Sequence, residues 1–431
     1  MRVLTIFAVL SRVSWATHTV KTGLDVLLES NYTQLAGRRV IVLTNPTGVT
    51  PDLQLGVDVM FNSGAVDLVG VMGPEHGFRG TAQAGGSEGT FIDPVTGLTV
   101  YDAYNVNTST LVGYIKESEA DTVLFDIQDV GARFYTYTWA MYDTMVAAAI
   151  ANASFVVVDR PNPITGSNAF GPVLNESYAS YVGRRPIAQA HGMTTGELAS
   201  MFVGENWIQE AANGSDLNLE VILMKGWKRS MTWKDTNLPW VMPSPNMPTP
   251  ETALIYPGAC MFEGTSISEG RGTTRPFEVQ YCLLGGSFTN DSWTDEMRAL
   301  NIPHTNFRSA CFSPTTSKFQ SQTVCGLQSY VFLDSIGDYE EFDPVFLGVS
   351  LLWSAKHLYT VGGNDTGFGN TTQSFHWLFG SKTGLYDVDV LTGGSLVREG
   401  IEAGLPPDEI RSQWEADLQA FKKKRETYLL Y

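Results

Sequence analysis

Between Lys21 and Pro239 the chain alternates short apolar runs with helix-like stretches, and this alternation restricts its fold more than any other feature. The candidate strands are Arg39–Leu43, Val66–Met72, Leu98–Tyr101, Asp121–Phe125, Phe155–Val158 and Leu219–Leu223. Candidate helices fall at Leu24–Asn31, Leu55–Asn62, Leu111–Glu119, Tyr137–Asn152 and Thr195–Asn206. Strands that alternate with helices build a largely parallel sheet covered on both faces. The expected class is therefore α/β, with a Rossmann-like parallel-sheet domain first. Five prolines between Pro239 and Pro250 mark a stiff linker or a cleft-lining loop, so the boundary is placed near residue 250. Residues 251–431 mix strands such as Ser329–Leu333 with helices such as Phe346–Leu358 and Asp408–Thr427. They are expected to form a smaller mixed α+β C-terminal domain that completes a cleft with the first domain, residues 17–250. No G-x-G-x-x-G follows the first strand, where the turn reads TNPTGV, Thr44 to Val49. A bound dinucleotide is not expected despite the Rossmann-like pattern, and no other cofactor is implied.

In open α/β sheets ligands bind beyond the carboxyl ends of the strands. Here those ends are loaded with charge. GPEHGFRG, Gly73 to Gly80, follows the run Val66–Met72 and carries Glu75, His76 and Arg79 between glycines. DIQDVGARFYTY, Asp126 to Tyr137, follows the fourth strand and holds Asp126, Asp129 and Arg133. DRPNPITG, Asp159 to Gly166, follows the fifth and holds Asn162. HGMTTGEL, His191 to Leu198, offers His191, with Thr194 or Thr195 to cap the next helix. EGTSISEGRGTT, Glu263 to Thr274, sets Glu263, Glu269 and Arg271 among small residues. A scaffold alone has no use for this pattern, which points to one site assembled from several loops.

These five segments, in this order and together with TNPTGV and MPSPNMPT (Met242 to Thr249), resemble the exo-acting β-N-acetylmuramidases of the NamZ family. The resemblance runs from about Gly23 to the C-terminus. It implies a glycoside hydrolase that removes N-acetylmuramic acid from the non-reducing end of peptidoglycan fragments. The expected partner is a muramyl oligosaccharide; no protein partner is inferred.

Glycoside hydrolysis ordinarily needs two carboxyl groups, one to protonate the leaving oxygen and one as nucleophile or base. Glu75 is the first candidate for the proton donor, with His76 as a hydrogen-bonding imidazole beside it. The second carboxylate is open among Asp126, Asp129, Glu263 and Glu269, and the 2-acetamido group of the sugar offers a further route. Muramic acid carries a lactyl carboxylate, so a selective pocket should present a guanidinium or a helix N-terminus. Arg79, Arg133 and Arg271 are the candidates; each taken alone is more readily an ion pair with a neighbouring Asp, and at least one of the three is expected to bind the lactyl carboxylate. His191, Glu263 and Asn162 are further substrate-binding candidates, Asn162 being also a plain turn residue. Tyr135, Tyr137 and Trp139 either stack on a sugar or form the buried face of a helix. No metal site is expected, because the histidines lack a third ligand at known spacing.

The formal charge is −17, which disfavours binding to a phosphate backbone or an anionic membrane. Residues 1–16, MRVLTIFAVLSRVSWA, have the charged start, apolar centre and small terminal residues of a secretory signal. Eight N-x-S/T sequons, at Asn31, Asn107, Asn152, Asn175, Asn213, Asn290, Asn364 and Asn370, exceed the roughly three expected by chance. A secreted, extracellular glycoprotein is the expectation. The four cysteines have no metal-binding spacing, and local bridges Cys260–Cys282 and Cys311–Cys325 are the preferred pairing.

Overall fold

The computed structural model describes residues 20–282, 291–361, 375–381 and 383–431. The expected signal segment and the sequons at Asn290, Asn364 and Asn370 lie outside them. Six apolar runs become β1 (Arg39–Thr44), β2 (Asp67–Gly73), β4 (Thr99–Asp102), β5 (Thr122–Asp126), β6 (Ser154–Val158) and β9 (Leu219–Ile222). The two-residue strand β3 (Phe91–Ile92) and the antiparallel pair β7 (Phe170–Val173) and β8 (Ala188–Ala190) complete this half. The main sheet has the order β3–β4–β2–β1–β5–β6–β9 and is parallel throughout except at its edge, β3. Counting only the parallel strands, the order is 3-2-1-4-5-6, that of dinucleotide-binding Rossmann folds.

Alternate residues of each strand feed different layers. Val40 and Val42 of β1, Leu124 of β5 and Val156 of β6 pack with Leu24, Val57 and Met60 on one face. Ile41, Leu43, Val123, Phe125, Phe155 and Val157 pack into the larger core on the other. A sheet buried on both faces requires the continuous apolar runs seen in the sequence. The covering helices are α1 (Gly23–Glu29), α2 (Gly56–Ser63), α3 (Thr108–Glu117), α4 (Thr136–Ala151) and α5 (Thr195–Gly204). Thr22 with Asp25, and Thr194 with Glu197, form reciprocal capping boxes that satisfy the first amides of α1 and α5. Asn152 closes α4 in the left-handed conformation, with φ of 58°.

The C-terminal half contributes the antiparallel sheet β10 (Val279–Cys282), β12 (Val324–Val331) and β11 (Thr305–Phe312), with β12 in the centre. The helices Pro250–Ala259 and Pro344–Val361 cross at Gly258 and Gly348. A Cβ on Gly258 would lie 2.0 Å from the Pro344 carbonyl oxygen, and one on Gly348 would lie 2.4 Å from Gly258 Cα. Only glycine permits this backbone contact. It fixes the end of the first helix, from which the turn Cys260–Gly264 carries Glu263.

Two expectations change. The single helix Asp408–Thr427 is two, Pro407–Ser412 and Glu415–Arg425, because Trp414 turns into the core, 1 % exposed. Cys311 and Cys325 are bridged at opposed positions of β11 and β12, but Cys260 is a free, buried thiol, so no Cys260–Cys282 bridge forms. The chain end also packs against the first half. Arg425 donates to the carbonyls of Ser167, His191 and Gly192, and the Tyr431 hydroxyl donates to Asp159 Oδ2 at 2.8 Å.

Candidate active site

A sheet of this order leaves a crevice where the strand order reverses, here beyond β1 and β5. In this protein the crevice is filled. Asp126, at the end of β5, pairs with Arg160 at 2.6 Å, and both are almost fully buried. Thr44 Oγ1 donates to the Asp126 carbonyl at 2.7 Å, and Thr47 Oγ1 accepts from the Gln128 amide at 2.8 Å. Some 20 Å³ remains open beside Arg160, scarcely room for one water. Burial pushes the Asp126 carboxyl up, against the pull of Arg160. Asp126 therefore holds the first strands together and does not face a ligand.

Several other candidates also serve the scaffold. Asp129 accepts from the Gly131 amide at 2.6 Å and lies 3.5 Å from His191 Nε2, both side chains being buried. His191 Nδ1 accepts from the Met193 amide, which places its proton on Nε2, toward Asp129. Asn162 accepts from the amides of Ile164 and Thr165 and donates to the Met193 carbonyl, the plain turn role. Arg133 is fully buried and donates to the carbonyls of Pro172, Ile187 and, across the halves, Leu391. With no carboxylate in reach, burial draws its pKa down to about 9. Arg79 is held by Asp58 at 2.9 and 3.0 Å and by Asp93 at 2.8 and 3.2 Å. Trp139 and Tyr137 are core residues of α4. None of these lines the cavity described next, apart from their neighbour Tyr135.

The cavity, of about 170 Å³, opens beyond β2 and the N-terminus of α4. The first half supplies Glu75, His76, Tyr104, Tyr135, Thr136 and Tyr181, and the proline-rich loop adds Ser244. Across the opening stand Tyr256, Cys260, Glu263 and Arg271. Four of the predicted residues thus meet here: Glu75, His76, Glu263 and Arg271. Both oxygens of Glu75 act as acceptors, from the Gly85 amide at 2.8 Å and from Thr136 Oγ1 at 2.7 Å. His76 has φ of 71°, a costly conformation for a non-glycine residue, and its amide donates to the Gly86 carbonyl. Its Nδ1 donates to the Ala82 carbonyl at 3.1 Å. Tyr104 hydrogen-bonds Glu75, and burial together with that negative charge pushes its phenol up to about 12. Burial likewise raises the phenols of Tyr135, Tyr181 and Tyr256, which stay neutral donors.

The opposite wall is an ion network. Arg271 donates to Glu263 Oε1 through Nε at 2.9 Å and Nη2 at 2.6 Å. Desolvation pushes the Glu263 carboxyl up; Arg271 opposes this, and the like charge of Glu269 adds to it. Glu269 sits behind, almost fully buried, 2.9 Å from Lys318 Nζ and 3.7 Å from Arg271 Nε. It positions the arginine and does not line the cavity. Two glutamates in one pocket, one bonded by neutral donors and one desolvated beside a cation, can divide the acid and anionic roles of glycoside hydrolysis.

Sequence patterns gave no hint of Tyr104, Tyr181 or Tyr256, which lie outside the five motif segments. Ser244 was within reach, since it belongs to the MPSPNMPT segment. Among the described residues no group of three His, Cys, Asp or Glu side chains is placed to hold a metal.

Residues 40–251 match the family model described as exo-β-N-acetylmuramidase NamZ, N-terminal, and residues 254–431 match its C-terminal counterpart. The peptidoglycan β-N-acetylmuramidase NamZ of Bacillus subtilis (strain 168) is 41 % identical over 413 residues, spanning 96 % of this chain and 91 % of that one. Two solved DUF1343 family proteins of Bacteroides fragilis NCTC 9343 share the fold. One has a TM-score of 0.81 at 30 % identity, covering 96 % of this chain and all of its own. The other has a TM-score of 0.71 at 28 % identity, covering 96 % and 99 %.

Proposed function

Because the chain belongs to the NamZ family of exo-β-N-acetylmuramidases, we propose that it is a glycosidase that releases N-acetylmuramic acid from the non-reducing end of peptidoglycan fragments. One observation carries the reading: Glu75 and Glu263 face a single small cavity from its two walls, in contrasting environments. Glu263, lifted by desolvation, donates the proton to the leaving oxygen. Glu75, whose oxygens already accept from Gly85, Thr136 and Tyr104, supplies the anionic charge at the sugar, directly or through the 2-acetamido group. This exchanges the role first expected for Glu75.

Of the three candidate arginines only Arg271 reaches the cavity, and Nε and Nη2 are its only donors to Glu263. Nη1 is assigned to the lactyl carboxylate. Arg271→Lys keeps the charge that faces Glu263 but removes the fork. It should raise the Kd of free N-acetylmuramic acid about tenfold, the worth of one charge-assisted hydrogen bond, and leave that of N-acetylglucosamine unchanged. Equal losses for both sugars in calorimetry would remove Arg271 from lactyl recognition.

The activity itself is tested by release of 4-nitrophenol from the N-acetylmuramide, with the N-acetylglucosaminide in parallel. Turnover of the muramide alone is expected, and binding without turnover of either would sink the proposal. Secretion is part of the same reading. All five sequon asparagines among the described residues, Asn31, Asn107, Asn152, Asn175 and Asn213, are exposed. Mass spectrometry of protein made in a eukaryotic secretory host should show the chain cleaved after the apolar start and hexosamine-bearing at these positions. An intact N-terminus and unmodified asparagines would refute it.

A further inference from the structure

A second cavity, of about 920 Å³, adjoins the first and shares Ala84 and Arg271 with it. It is more than five times larger and open, whereas the small cavity fits a terminal residue. Its lining is rich in neutral hydrogen-bonding groups. The side chains of Gln83, Asn246, Thr274, Thr316 and Ser317 face it, and Arg271, at the junction, is the only charged residue of its wall. No hydrogen bond is formed by any of these five neutral side chains among the described residues, so their donors and acceptors stand uncommitted.

The wall is fixed in place. The Cys311–Cys325 bridge closes the base of the loop that carries Thr316 and Ser317. Thr315 N donates to the Gly272 carbonyl at 2.9 Å, and Lys318 donates to the carbonyls of Phe262 and Ile267, on either side of Glu263. On the facing side, the segment bearing Gln83 and Ala84 also supplies the Gly85 amide that holds Glu75. Both walls of the groove are thus continuous with the two catalytic walls.

We propose that this groove binds the leaving group, an uncharged N-acetylhexosamine saccharide on the reducing side of the scissile bond. The assignment rests on the glycosidase reading above. A stem peptide, rich in carboxylates and amines, would need charged partners that the groove does not offer. Hydroxyl and amide side chains suit the hydroxyl and acetamido groups of a sugar.

The test compares wild type with Thr316→Trp and, independently, Thr274→Trp; both threonines are exposed. Each narrows the groove, and neither threonine lines the small cavity. The substrates are the disaccharide N-acetylmuramyl-β-1,4-N-acetylglucosamine, its peptide-bearing form and 4-nitrophenyl N-acetylmuramide. The kcat/KM ratio of disaccharide to nitrophenyl substrate should fall at least about tenfold in both variants, mainly through KM, with or without the peptide. An unchanged ratio, or a loss confined to the peptide-bearing form, overturns the proposal. Calorimetric binding of the N-acetylglucosamine disaccharide is measured alongside. If wild type turns over nothing, the glycosidase reading fails. The groove then stands if that binding is weakened tenfold by Thr316→Trp, and falls if it is not.

Discussion

Glu75→Gln should lower kcat on 4-nitrophenyl N-acetylmuramide roughly 10³-fold, within the range for a lost catalytic carboxylate, while the fold stays intact. The substitution is nearly isosteric. The amide oxygen can still accept from the Gly85 N–H, and the Thr136 hydroxyl can rotate to accept from the new NH₂. Little stability should therefore be lost, and the melting temperature should move by only a few degrees. What disappears is the negative charge. Its removal has a second readout, because burial and that charge hold the Tyr104 phenol near 12. Without Glu75 the phenol should titrate at lower pH, seen as an earlier rise in tyrosinate absorbance. Retention of kcat within tenfold of wild type would exclude Glu75 from the chemistry. A large loss with an unmoved Tyr104 titration would mean that the pocket had rearranged instead.

The parallel sheet was legible because each strand buried on both faces is a continuous apolar run, and the run is its own signal. The short edge strand β3 has no such signal. Phe91–Ile92 is two residues long, and its pairing with Thr99–Val100 is decided by the neighbouring strand. The site divided along similar lines. GPEHGFRG and EGTSISEGRGTT announced charge at strand and helix ends, and the charge is there. Sequence could not say which charges were already spent. The partners of Arg79, Asp58 and Asp93, lie 21 and 14 residues away, and one acceptor of Arg133 is 258 residues away. Arg271 differs because its glutamate partners share its own segment at the cavity wall, so it is both paired and presented. The tyrosines around Glu75 come together only through the fold. Tyr104 follows β4 and Tyr181 precedes β8, and they meet edge to face at 5.6 Å.

The assignment of the proton donor makes a sharper demand. Glu263→Gln should depress kcat/KM on the muramyl disaccharide by roughly 10³-fold, because the departing sugar oxygen is a poor leaving group without protonation. On a 2,4-dinitrophenyl muramide, whose leaving group needs no proton, the loss should be no more than about tenfold. The glutamine amide oxygen can still accept from Arg271 Nε and Nη2, so the arginine keeps its place. The pH profile should change in a defined sense. An acid works only while protonated, and desolvation, reinforced by Glu269, raises the carboxyl of Glu263. Wild-type activity on the disaccharide should therefore be present at low pH and lost as pH rises through that raised pKa. On the dinitrophenyl substrate, which needs no proton, this alkaline limb should be absent even in wild type. The two glutamates are distinguished by the same pair of substrates. If Glu75→Gln is the variant rescued by the activated leaving group, and Glu263→Gln is not, the roles are the reverse of those assigned here. If neither is rescued, protonation of the leaving oxygen comes from elsewhere in the pocket, and the neutral phenols of Tyr104 and Tyr181 are the groups to remove next.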